Sequence, residues 1–282
     1  NYGQQMPDIV GNLRVDQAWG SAQIMGALHQ VGGRYYTSFP ANPCGATAGN
    51  NNATGCGNPG NEWGWAVGAG LMLKMPWDAK DTFSGQVAYA DGALGYLGSA
   101  MGTNWLARSG GVAVGPVSDA VFAQPNSLVA GYDGSLQTTK GWSFTAAFEH
   151  YWTPSLRTSL VGGMYSVQYN NTAKALIAAN GCAQAGAALG QIAVGGNNTC
   201  NPDFTTWRLA SRTMWNPVAN LDVGLEIAYT KVNTAFAGSA LVAGTGGAAS
   251  TATSSGWASG TYAIQDQDIW SATMRVQRNF WP

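Results

Sequence analysis

The side chains that could do covalent or metal chemistry are few: the chain has four cysteines and two histidines. Cys44 and Cys56 share one stretch rich in Asn, Gly, Ala and Pro, and Cys182 and Cys200 share another of similar composition. Two pairs, each local to its own stretch, read as two disulfides formed in an oxidising compartment. A metal site is the alternative, but no histidine lies near either pair and no C-x-x-C spacing occurs. His29 and His150 stand apart at the ends of strand-like runs, and nothing marks a serine nucleophile or convergent partners for either. The glycine-rich run from Gly64 to Gly70 lacks a phosphate-binding signature leading into a helix. The N-x-T patterns at Asn52, Asn170 and Asn197 are expected by chance in stretches this rich in Asn. No enzyme, metal or cofactor is expected.

What remains is a set of charges inside alternating runs. If the polar faces of those runs line a lumen, the wall residues are Arg14, Asp16, Glu62, Lys74, Glu149, Arg157, Arg208, Arg212, Asp222, Glu226 and Arg275. Rings of one sign select ions, whereas a mixed wall such as this gives mild selectivity. Each arginine can equally serve as a structural ion pair; Arg208 and Glu226, on adjacent predicted strands, are candidates for one.

The composition bounds the elements that must hold these charges. Thirteen basic and fourteen acidic residues nearly cancel, and only 10% of the 282 residues are charged, against about 25% in a soluble globule. Near-neutrality disfavours a nucleic-acid binder, and the wealth of aromatics disfavours disorder. Mean hydropathy is -0.08, and no long uninterrupted apolar run marks a membrane-spanning helix. Low charge with much Gly, Asn and Trp fits strands whose polar and apolar residues alternate, as in a transmembrane β-barrel. Aromatic turns recur roughly every 60–75 residues, at Trp19-Gly20, Pro76-Trp77-Asp78, Trp152-Thr153-Pro154, Trp215-Asn216-Pro217 and Trp281-Pro282. Long loops alternating with short aromatic turns are the habit of outer-membrane barrels, with the short turns periplasmic.

Period-two patterning supports the reading. Leu221, Val223, Leu225, Ile227 and Tyr229 oppose Asp222, Gly224, Glu226, Ala228 and Thr230. Trp142, Phe144, Ala146 and Phe148 oppose Ser143, Thr145, Ala147 and Glu149. Where a run holds two charges, as in Arg14 with Asp16 or Arg208 with Arg212, both fall on the non-apolar face. A soluble sandwich or a propeller also alternates, but its polar faces are better charged than these. Nine strands are predicted, near 9–17, 21–29, 62–74, 82–90, 141–151, 156–169, 204–215, 221–231 and 267–281. The sixth is ambiguous, because Leu156, Leu160 and Met164 compete with Val161, Tyr165, Val167 and Tyr169. The expected fold is thus all-β, an antiparallel transmembrane barrel in one domain over 1–282. Long extracellular loops are expected near 30–61, 91–140, 170–203 and 232–266. An odd count with a free edge cannot close. Either strands hide within 93–140 or the chain is the C-terminal part of a longer barrel, and the latter is the expectation.

Four segments resemble the alphaproteobacterial outer-membrane porins, a family of general diffusion channels. They are Ala147-Phe148-Glu149-His150-Tyr151-Trp152-Thr153-Pro154, Ser211-Arg212-Thr213-Met214-Trp215-Asn216-Pro217, Asp222-Val223-Gly224-Leu225-Glu226-Ile227-Ala228-Tyr229-Thr230, and Arg275-Val276-Gln277-Arg278-Asn279-Phe280. The resemblance implies a barrel of about sixteen strands, usually trimeric, in the outer membrane of a Gram-negative bacterium. Its partners would be outer-membrane lipid and the small hydrophilic solutes and ions that pass by diffusion, with no nucleic acid. Matching last strand to last strand makes the nine candidates the C-terminal nine. It also implies that the inward-folded loop that narrows such pores is missing, along with the acidic residues its wall arginines would face. The Trp281-Pro282 ending departs from the family's usual terminal aromatic. Two other functions remain open: a barrel that binds a partner through its long loops, and a solute-specific channel.

Overall fold

A computed structural model describes residues 5–33, 36, 57–98, 105–108, 111–125, 129–179, 192–193, 200–243 and 260–280. The wall is a continuous antiparallel sheet of nine strands: β1 (Ile9–Gln17), β2 (Gly20–Gly32), β3 (Asn61–Lys74), β4 (Thr82–Asp91), β8 (Gln137–Thr153), β9 (Leu156–Tyr169), β11 (Phe204–Val218), β12 (Leu221–Asn233) and β15 (Gln267–Arg278). These are the nine expected strands, with ends displaced by a few residues. The sheet is not closed: β1 and β15 each have one wall neighbour. The stretch 93–140 does contain strands, but none joins the path between β4 and β8. β5 (Trp105–Arg108) pairs with β6 (Val112–Gly115), and β7 (Ala120–Val121) adds to the end of β8. A separate small sheet joins β10 (Ile192–Ala193), β13 (Ala240–Ala243) and β14 (Gly260–Ala263).

Register makes the two faces continuous from strand to strand. Leu13, Ile24, Ala69, Val87, Phe144, Met164 and Trp207 are successive partners on one face. The adjacent row, Arg14, Gln23, Gly70, Gln86, Thr145, Gly163, Arg208 and Thr230, lies on the other. The apolar face is exposed, with Leu13 at 66%, Ile24 at 60% and Met274 at 70% accessible. Its charged residues come only at strand ends: Asp91, Lys140, Lys231 and Asp268 at the loop side, beyond the aromatic rings of Tyr89, Trp142, Tyr229 and Trp270, and Arg278 at the short-turn side. Trp19, Trp77, Trp152 and Trp215 ring the opposite, short-turn end. A charge-free band between two aromatic girdles is what hydrocarbon requires of a barrel exterior. Among the described residues no helix is long and apolar enough to cross a membrane.

The short connections 18–19, 75–81, 154–155 and 219–220 leave one end of the sheet, and the long ones, 33–60, 92–136, 170–203 and 234–266, leave the other. Asn170, which begins one of the N-x-T patterns, caps helix α1 (Asn171–Ile177) by accepting the Ala173 N–H at 2.8 Å. At the short-turn end, Asp81 staples the β3–β4 turn to β8. Its carboxylate accepts the Tyr151 N–H (2.9 Å), a His150 Nδ1 contact (2.6 Å) and the Trp77 indole N–H (2.8 Å). Led by the Tyr151 N–H, these bonds outweigh burial and hold the Asp81 carboxyl below the usual carboxylate range.

The described part of the 92–136 connection folds back over the polar face. Gly92 (φ +68°) turns the chain inward across Gly64, whose Cβ, if present, would collide with the Gly92 carbonyl. Leu94 and Leu97 then sit on Gly141, where a Cβ would lie 2.8 and 2.7 Å from their side chains. Farther along, Gly115 lies against the Phe204 ring, and the Tyr169 hydroxyl donates to the Pro116 carbonyl at 2.8 Å. The resulting buried cluster unites Leu94, Leu97, Val112 and Val114 with Tyr165, Val167 and Phe204 of the wall. This cover resolves the sixth strand. Leu160 and Met164 share the outer face with Phe148 and Phe144, while Tyr165, Val167 and Tyr169 are apolar on the inner face because the inward connection buries them.

Two outcomes follow. Gly141→Val forces branched carbons into Leu94 and Leu97, so the connection lifts at a cost of about 1–3 kcal/mol; chymotrypsin then cuts near Tyr96 and Leu97 much faster than in the parent. Asp81 has a lowered carboxyl pKa, so its contribution is present above the ordinary carboxylate range and is lost as pH falls through the lowered value. Asp81→Asn therefore lowers the thermal midpoint in detergent at neutral pH by a few degrees, and the difference from the parent shrinks in strong acid.

Candidate functional site

All eleven residues singled out in the sequence fall on the polar face by strand register. The strand period accounts for this, because a single aligned register carries the parity of one strand to every other. Their neighbours on that face are mostly small or hydroxylated, such as Ser21, Ser84, Ala147, Gly163 and Thr230. Small side chains leave hollows in the face. One of about 390 Å³ is bordered by Arg14, Ser21, Gln23, Gln86 and Thr145. Another of about 380 Å³ lies beside Leu97 and Gly98 of the inward connection, against Ser143, Thr145, Thr206 and Arg208.

The charges are partly neutralised by one another. Arg14 forks onto Asp16 of its own strand at 2.7–2.9 Å. Arg208 Nη2 meets Glu226 at 2.6 Å across the β11–β12 pair, the pairing that strand adjacency suggested. Glu149 accepts the Ser159 hydroxyl at 2.9 Å and lies 3.6 Å from Arg157, whose guanidinium also rests 5.8 Å over the Tyr151 ring. Asp222 accepts from Asn216, and Arg275 donates to Gln277. Among the described residues Lys74, Arg212 and Arg275 form no ion pair, and neither do Glu62 and Asp222. Direct pairing therefore leaves three cations against two anions. Exposed pairs of this kind are screened by salt, and their main effect is local charge cancellation.

A second constellation ties the inward connection to the wall, and sequence reasoning assigned it no role. His29, expected to be a histidine at a strand end, places Nδ1 2.8 Å from Asp8 Oδ1, and its Nε2 lies 3.8 Å from Asp119 Oδ2. Asp8 also accepts the Tyr96 hydroxyl at 2.5 Å, while Asp119 accepts the Leu94 N–H at 2.7 Å. Burial works against the Asp8 charge, but the hydrogen bonds from Tyr96 and His29 outweigh it and hold the carboxyl below its ordinary range. The same bond to Asp8 is the main reason the Tyr96 phenol is pushed up to about 12. Burial raises the Asp119 carboxyl. The Asp8–His29 half was legible, since pairing Ile9 with Leu28 sets Asp8 opposite His29. Tyr96 and Asp119 carried no periodic signal.

The cysteines are mostly outside what is described: Cys44, Cys56 and Cys182 lie beyond the described residues, and no free cysteine occurs among them. No group of His, Cys, Asp and Glu suited to a metal ion occurs among the described residues.

No curated protein matches this sequence. Among solved structures, the chain is similar to the outer membrane channel DcaP of Acinetobacter baumannii, with 13% identity and a TM-score of 0.47. The similarity covers 97% of this chain and 53% of that one, so the chain spans about half the length of that protein. The sequence pattern that defines the porin subfamily matches residues 1–273, nearly the whole chain, and the protein belongs to that family.

Proposed function

We propose that the chain forms the wall of a water-filled channel in the outer membrane of a Gram-negative bacterium, passing small hydrophilic solutes and ions by diffusion. One observation carries the reading: the eleven wall charges share the face that bears small and hydroxylated side chains, while the opposite face has a charge-free band. An arginine or lysine placed mid-band on the lipid side would cost about 2–4 kcal/mol, so charge collects where water is. On this reading Arg14, Asp16, Glu62, Lys74, Glu149, Arg157, Arg208, Arg212, Asp222, Glu226 and Arg275 line the pore. The inward 92–136 connection narrows it near the long loops, which face the cell exterior. Transport is passive and involves no bond chemistry.

Several finer features belong to the same proposal. In hydrocarbon the free edges of β1 and β15 must be paired, so the working channel is a closed barrel, of about sixteen strands by resemblance to alphaproteobacterial porins. The resemblance also supports a homotrimer. Cys44–Cys56 and Cys182–Cys200 are the proposed disulfides; non-reducing peptide mass spectrometry is expected to find each pair within its own loop, and cross-linking between loops would refute that assignment.

Planar-bilayer recording of the complete gene product tests the channel. Stepwise openings with conductance nearly linear in salt support it, and a protein that inserts without conducting refutes it. Saturation by one solute, with block by that solute, would instead indicate a specific channel. Because unpaired wall cations exceed unpaired anions, the reversal potential in a KCl gradient is expected to show mild anion preference. Arg212→Gln lowers that preference by about twofold in permeability ratio, whereas Arg14→Gln, which frees Asp16, shifts it further toward cations.

A further inference from the structure

We propose that His29 is a positioning residue whose proton governs how firmly the inward connection is held to the wall, making the β1–β2 end a pH-dependent clasp. The clasp joins parts of the chain far apart in sequence. Asp8 precedes β1, His29 belongs to β2, and Tyr96 and Asp119 come from the connection that follows β4. Asp8 is shared: one carboxylate oxygen contacts His29 Nδ1 at 2.8 Å and the other accepts the Tyr96 hydroxyl at 2.5 Å. Asp119 is bound into the connection through the Leu94 N–H to its carboxylate, and its carbonyl accepts the Thr139 N–H of β8 at 2.9 Å, a backbone tie to the wall that does not depend on His29. His29 is thus the only side chain among the described residues in ionic contact with both the Asp8 and the Asp119 carboxylates.

The sign follows from the two ring nitrogens. A protonated imidazole presents N–H to Asp8 and to Asp119, and both contacts attract. A neutral ring keeps its Nδ1 proton for the ionised Asp8 and turns the Nε2 lone pair toward the Asp119 carboxylate, so that the His29–Asp119 contact is lost while the Tyr96–Asp8 and Thr139–Asp119 bonds remain. Imidazoles exchange this proton between about pH 5 and 8. Asp119, raised by burial, takes up its own proton as pH falls further, which sets an acid limit to the clasp. The groups facing His29 are therefore Asp8 from the β1 end and Asp119 and, through Asp8, Tyr96 from the connection. On β3 the opposing residue is Gly64, and the next charge on that face is Glu62. The hold is strongest in mild acid and loosens toward alkaline pH. Its consequence for permeation rests on the channel reading, but the clasp itself does not.

Hydrogen exchange followed by mass spectrometry on the complete protein in detergent tests it, at about pH 5.5 and about pH 8 with rates scaled for intrinsic exchange. In the parent, the peptide spanning 92–98 is expected to exchange about two- to fivefold faster at the higher pH, the loss of one ionic contact. His29→Gln removes that dependence. Asp119→Asn, which keeps an oxygen for the Leu94 N–H and leaves the Asp8 contact intact, must also give a flat profile. Equal scaled exchange at both pH values in the parent overturns the clasp, as does a pH response that survives in either variant. Bilayer recording of the same samples separates the two proposals. A conducting protein with pH-independent exchange refutes the clasp alone, and a non-conducting protein with the expected exchange refutes the channel alone.

Discussion

Everything in this molecule depends on an antiparallel ladder that holds its register across nine strands. Each strand presents alternate residues to opposite sides, and a slip of one residue would send a charged set into the apolar band. The ladder is unbroken where the band lies. Irregularities occur at the short-turn end, between Tyr151 and Thr153 in β8 and between Trp215 and Val218 in β11. In β11 the irregular span includes Pro217, which has no N–H to give to the ladder. The aromatic turns thus mark where pairing is allowed to fail, at the depth where water can again satisfy the backbone.

The two ends of the sheet do different work. At the short-turn end Asp81 gathers an indole, an imidazole and a backbone N–H, and the edge-on contact of His150 with Trp152 at 4.4 Å extends that cluster into the aromatic girdle. At the other end the polar face is covered by the chain's own connection, seated where Gly64 and Gly141 leave room for it. A face that is polar over most of its height therefore becomes a small hydrophobic core at one end. The same wall in this way carries both a polar face and an anchor for the connection.

Charge pairing refines the polar face. Arg14, Arg157 and Arg208 look equivalent to Arg212 and Arg275 in composition, but they sit beside carboxylates and contribute little net field. The net charge of that face is set by the charges left over, and those are decided by geometry a few ångströms in scale.

The wall was legible in the sequence to within a few residues per strand, as was the placement of all eleven charges on one face. Both follow from the pleat, a local property that each run of residues carries regardless of what surrounds it. The long connections were legible only as long. Nothing periodic distinguished Leu94 and Leu97 as residues that dock on Gly141, or Asp119 as one that approaches His29, because those contacts join positions with no common repeat. The ambiguity of β9 had the same origin, since its apolar inner residues answer to a cover that only the folded chain supplies. Alternation and turn chemistry alone determined that this protein is a two-faced sheet with its charge on one side. The tertiary structure decided which charges are spent on each other and which segment packs over the polar face, because both depend on distances between residues far apart in the chain.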